Sequence, residues 1–113
     1  MNDHIKTHPA KGTWVARAGG AILAETTKAV ALTEGEMPVM IYFPQDDIAM
    51  EFFEKSDKSS YCPHKGTASY FGIQTKSGLL ADAAWCYEEP FESASGVAGC
   101  VAFYPNVVVV EQI

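Results

Sequence analysis

The chain has 113 residues, 48% of them hydrophobic and 19% charged, and its 14 acidic and 8 basic residues leave a net charge of −6. That length builds one core rather than two, burying roughly two-thirds of the surface an unfolded chain exposes, and the composition argues against disorder. Arg17 is the only arginine and no stretch clusters lysine, so nucleic acid and anionic membrane surfaces are disfavoured as partners: there is little to displace counterions from phosphates.

The opening MNDHIKTHPAKG is polar, with no apolar segment behind its charges, and no later run reaches the ~18 apolar residues of a membrane span. A soluble, cytoplasmic protein is the expectation. Residues 1–12, which carry His4, His8, Pro9 and Gly12 without periodicity, read as an N-terminal arm, and the folded domain is expected over 13–113.

From there the pattern is of short strands divided by turn chemistry. TWVARA at 13–18 and AILAET at 21–26 flank Gly19-Gly20, whose freedom to take positive φ suits a tight hairpin turn. KAVALTE at 28–34 and PVMIYF at 38–43 are two further strands, the second blurred in alternation as a strand buried on both faces would be. One helix is expected at 47–55, capped by Asp46, with Asp47, Glu51 and Glu54 on a solvated face and Ile48, Met50 and Phe52 turned inward.

YCPHKG at 61–66 follows, a thiol, an imidazole and an amine in four positions. Beyond it, TASYFGIQT at 67–75 and LLADAAWCY at 79–87 flank Lys76-Ser77-Gly78, the clearest hairpin signal in the chain. Period two puts Trp85 and Tyr87 on one face with Ala81 and Ala83, and Cys86 on the other. EEPFESASG at 88–96 reads as a loop or a single helical turn, and strands at 99–104 and 107–112 close the chain. About seven strands with one small helix make a mainly-β domain, its antiparallel sheets arranged as a barrel or a tent.

The chemistry-bearing residues each have a plain alternative. Cys62 beside Lys65 and His64 has the cation a nucleophilic thiolate needs, but no supporting Asn, Asp or second His stands in a recognisable motif, and a small cysteine packing a corner serves as well. Cys62, Cys86 and Cys100 include no C-x-x-C pair and are odd in number, which disfavours both a zinc site and a disulfide framework, so no metal and no cofactor are expected. Lys65-Gly66 precedes a strand rather than a helix and is not a phosphate-binding loop. Tyr70, Trp85 and Tyr87 form either core or the wall of a ligand pocket, and Lys65 at the mouth of their hairpin is positioned to lean over them.

Glu34, the YFP of 42–44, Asp47, the C-P-x-K-G of Cys62–Gly66, Ala68, Tyr70, the A-W-x-Y-x-x-P of Ala84–Pro90, Gly99 and the A-F-Y of Ala102–Tyr104 together resemble domain-of-unknown-function family 427. The resemblance runs from about residue 13 to about residue 110. It implies a small, single-domain, mainly-β bacterial protein whose architecture is similar to the tent-like Mss4 and methionine sulfoxide reductase folds. Several of those relatives hold zinc on paired C-x-x-C motifs that this chain lacks, so neither their metal nor their redox chemistry carries over. The family's recurrent polar and aromatic positions fall on Glu34, Asp47, Cys62, Lys65, Tyr70, Trp85 and Tyr87. The expected function is a small-molecule binding domain in which Tyr70, Trp85 and Tyr87 wall a pocket, Lys65 supplies the positive group, and Glu34 or Asp47 orients it. Two alternatives stand beside it: a non-catalytic protein-interaction module, and a nucleotide-handling transferase implied by a label attached to the family.

Overall fold

The computed structural model describes residues 4–113. Among the described residues, ten strands form three antiparallel sheets. Strands β1 (Ile5–Pro9), β4 (Val30–Glu34) and β5 (Met40–Tyr42) make the first, in the order β1-β4-β5. The second holds β2 (Trp14–Ala18), β3 (Ala21–Thr26) and β10 (Val109–Gln112), in the order β10-β2-β3. Strands β6 (Phe53–Cys62), β7 (Gly66–Thr75), β8 (Gly78–Cys86) and β9 (Val101–Phe103) complete the third, in chain order. The arrangement is tent-like, and no barrel closes: among the described residues one isolated bridge, Phe43 to Val101, links the end of β5 to β9, and another, Ala24 to Ile48, ties β3 to the segment between the first and third sheets.

Strand periodicity in the third sheet sorts the core. Val101, Phe103, Ala84, Cys86 and Phe71 point to one face and pack with Ala16, Leu23 and Ala24 of the second sheet. Ala102, Tyr70, Trp85 and Tyr87 point to the other and pack with Ile5, Leu32 and Tyr42 from the first sheet and with Ala94 and Val97 of the 3-10 turn Glu92–Val97. The third sheet is thus buried on both faces along β7 to β9, which separates Cys86 from Trp85 and Tyr87 as period two requires. Ala83 departs from that grouping and packs with Ala84 and Cys86. A register shift opposite Phe71 and Ile73, with Asp82 at φ 49°, turns it over.

Three expectations change. The helix at 47–55 is absent: two 3-10 turns, Gln45–Asp47 and Met50–Phe52, stand there, and β6 begins at Phe53. The backbone of this stretch is drawn to β3 instead, Ile48 lying extended opposite Ala24 and the Ala49 N–H donating to the Leu23 carbonyl at 2.9 Å. Phe52, assigned inward on a helix, is 48% exposed, and Phe53 packs against Phe71 and Phe103. Asp46 lies within the first turn rather than capping a helix. The arm also gains structure: within it, Ile5–Pro9 pairs antiparallel with β4 from Ile5 opposite Glu34 to Pro9 opposite Val30. Finally, β6 is a ten-residue strand that the sequence pattern does not reveal. No helix among the described residues is long and apolar enough to cross a membrane.

Candidate functional site

YCPHKG is the turn of the β6–β7 hairpin. Cys62 pairs with Gly66, the Lys65 N–H donates to the Cys62 carbonyl at 3.1 Å, and Gly66 takes φ 113°, a conformation that favours glycine. The loop after β8 ties the turn down. Phe91 N–H donates to the Lys65 carbonyl at 2.9 Å, and Ser93 Oγ donates to the His64 carbonyl at 2.9 Å. Fixed in this way, the turn aims the Lys65 side chain over the face of the sheet that carries Tyr70 and Trp85.

There the Lys65 ammonium donates to Glu34 Oε1 at 2.9 Å and lies 5.7 Å from the centre of the Tyr87 ring. Glu34 ends β4, so the contact joins the first sheet to the third. Both side chains are mostly covered, at 16% and 20% exposed. Burial alone pulls an ammonium down in pKa, but the hydrogen bond to Glu34 and the charges around it reverse the outcome, so Lys65 titrates above its ordinary value and stays protonated at neutral pH.

The aromatic groups meet around an open pocket of about 490 Å³. Tyr70 and Trp85 are cross-strand partners in the β7–β8 hairpin. Tyr104, just past β9, stacks on Tyr70 with ring centres 6.4 Å apart and tilts against Trp85 at 4.6 Å. The Trp85 indole N–H donates to the Tyr42 hydroxyl at 3.1 Å, which fixes the indole plane from beneath. Tyr42 is 1% exposed, and its burial pushes the phenol well above 10.0. Burial also raises Tyr87, and burial followed by a hydrogen bond with Tyr70 pushes Tyr104 up to about 12. These phenols are therefore neutral hydrogen-bonding groups at neutral pH. Leu32, Met37, Pro38, Met40 and Pro105 supply the apolar rest of the lining.

Five of the seven sequence candidates thus share one pocket: Glu34, Lys65, Tyr70, Trp85 and Tyr87. Asp47 stands elsewhere, accepting a hydrogen bond from Thr26 Oγ1 at 2.7 Å, so of the two carboxylates it is Glu34 that partners Lys65. Cys62 is a half-buried free thiol in the turn, outside the lining. Tyr104 in the lining and Tyr42 beneath Trp85 are positions that residue-by-residue reading passes over, although both lie inside the YFP and A-F-Y motifs. Among the described residues no three His, Cys, Asp or Glu side chains converge as a metal site.

The family described as Domain of unknown function (DUF427) matches residues 6–113, nearly the whole chain. The chain belongs to that family. No curated protein matches it. The DUF427 match takes in every strand of the three sheets, all but the first residue of β1, so the pocket lies wholly within the family domain.

Proposed function

We propose that this DUF427 domain binds a small molecule in the pocket between β4 and the β7–β8 hairpin. The observation that carries this reading is the combination of a half-exposed Trp85 and Tyr104 with a covered Lys65–Glu34 pair around an unfilled space of about 490 Å³. Aromatics serving only as core interdigitate and leave no such space; ligand pockets combine apolar walls with a few fixed polar groups in cavities of ~300–1,000 Å³. The polar groups suit recognition. Lys65 is held as an ammonium, a donor rather than an amine nucleophile, and the Tyr87 and Tyr104 phenols stay protonated.

A thermal-shift screen of the wild type and Lys65→Ala against carboxylates, sugar phosphates and nucleotides tests the reading. A ligand at ~100 times its Kd stabilises by about 2.7 kcal/mol, and a Trp14→Phe background leaves Trp85 as the sole tryptophan to report occupancy. Stabilisation in the wild type, lost in Lys65→Ala, supports the pocket. Absence of any stabilising class, with Lys65→Ala itself melting early, makes the pair purely structural.

A second reading rests on exposed apolar side chains at the rim. Met37 is 63% exposed beside the pocket and Val39 53% in the adjoining groove, which favours an interaction module. Nucleotidyl transfer draws no support from the lining, whose single carboxylate, Glu34, is already committed to Lys65, whereas that chemistry uses carboxylates grouped around magnesium.

A further inference from the structure

The wall of the pocket carries one positive and one negative group in direct contact, Lys65 Nζ and Glu34 Oε1 at 2.9 Å, and this arrangement discriminates among ligand charges. A carboxylate approaching Lys65 also approaches the Glu34 carboxylate. An ammonium approaching Glu34 meets Lys65. For a ligand with a single charge, attraction to one member is opposed by repulsion from the other at nearly the same distance. Displacing one member instead leaves its partner covered and unpaired, which is costlier still.

A ligand bearing both charges on adjacent groups avoids the conflict. Its carboxylate faces Lys65, its ammonium faces Glu34, and the four charges alternate in sign around a ring. The protein can make both contacts without breaking its own pair, because the ammonium has three protons and the carboxylate two oxygens, and the existing hydrogen bond uses one proton and Oε1. The same lining holds the rings of Trp85 and Tyr104, 4.6 Å apart and tilted, with Tyr70 stacked on Tyr104. Such rings receive a flat aromatic group by offset or edge contact.

We infer that the pocket recognises an aromatic zwitterion of the α-amino-acid type, its two head-group charges on Lys65 and Glu34 and its ring against Trp85 and Tyr104. The inference rests on the small-molecule reading above. It adds that specificity comes from the dipolar pair, which selects a net-neutral ligand carrying two charges over singly charged or uncharged analogues.

Four compounds sharing a phenyl ring separate these cases by calorimetric titration of the wild-type protein: L-phenylalanine, 3-phenylpropionate, 2-phenylethylamine and 2-phenylethanol. L-Phenylalanine is expected to bind at least about tenfold more tightly than either singly charged compound. In Lys65→Met/Glu34→Gln, whose lining stays electrically neutral and whose folding is checked by its melting curve, that preference should vanish while the ring still binds. Equal affinity of 3-phenylpropionate and L-phenylalanine, or a preference that survives in the double variant, overturns the zwitterion assignment. Indiscriminate binding of all four overturns it too but leaves the pocket standing. Binding of none, in calorimetry and in Trp85 fluorescence alike, overturns the zwitterion assignment, and the small-molecule reading then falls only if the thermal-shift screen also finds no stabilising class.

Discussion

Truncating Lys65 leaves the Glu34 carboxylate mostly covered and without its partner, and the reverse holds for Glu34→Ala, so each single substitution includes a penalty that the pair does not. A double-mutant cycle over Lys65→Met and Glu34→Gln, read by urea denaturation, is expected to give a coupling of about 0.5–3 kcal/mol. Coupling near zero would make the contact ornamental and remove the anchor from the site. The same scale governs alkaline behaviour. Cys86 is raised from 9.0 to about 11, by burial first, and Tyr104 from 10.0 to about 12. Lys65 is raised above 10.5. A folded value raised above the unfolded one gives stability that is fully present below the unfolded pKa and is lost as pH climbs toward the folded one. Unfolding free energy should therefore hold level from about pH 7 to about pH 8.5 and fall above about pH 9, cysteine first and tyrosine next. A flat profile through about pH 11 would contradict the burial of these groups. Much of the site is legible residue by residue, because Tyr70, Trp85 and Tyr87 follow from the period of a single hairpin. Tyr42 and Tyr104 are not, since their meeting with Trp85 joins segments far apart in the chain, and no local pattern encodes that distance. Asp47 misleads for the same reason: its hydroxyl partner, Thr26, belongs to another sheet.

At the level of elements, the hairpin turn at 62–66 decides where Lys65 points. A side chain at Gly66 would take a φ of 113° and set its Cβ 3.4 Å from Pro90 Cα and 3.5 Å from Phe91 N. Gly66→Ala is expected to cost about 1–3 kcal/mol in urea denaturation, with the loop that bonds the Lys65 carbonyl pushed away. A neutral effect would show that the turn tolerates another path. The hairpins at 13–26 and 67–87 are readable because glycine turns punctuate alternating strands. The stretch 45–55 is not. Its acidic and apolar residues fit a helical period, but the Ala49 N–H and the extended backbone of Ile48 are engaged by β3, a tertiary preference that outweighs local propensity. Strand β6 escapes notice because FEKSDKSSYC, at the edge of its sheet, is exposed on both faces from Asp57 to Tyr61 and lacks apolar alternation. Its lysines and acids also discourage edge-to-edge pairing with another molecule.

Across the whole molecule, the third sheet divides two cores, and its two faces carry different chemistry. Cys86 lies on the face away from the pocket, fully buried, with a distant 3.9 Å contact from Gln45 Nε2 to its sulfur. Ellman's reagent at neutral pH should leave it unmodified until the protein is denatured, and rapid reaction of Cys86 in the native protein would mean that this core opens readily. The three-sheet construction also has a kinetic meaning. The β6–β7 and β7–β8 pairings close over short turns, whereas β10 must find β2 from the opposite end of the domain, Val109 opposite Arg17. Chain-closure entropy makes the near pairings early and the far ones late. The pocket takes one wall from the early hairpin and the others from β4 and the segment after β9, so partly assembled chains hold Trp85 without Glu34 or Tyr104 against it. On the proposed reading, ligand competence therefore arrives only once these separate segments have docked, and any cellular ligand would act as a clamp on the assembled pocket rather than as a guide to its assembly.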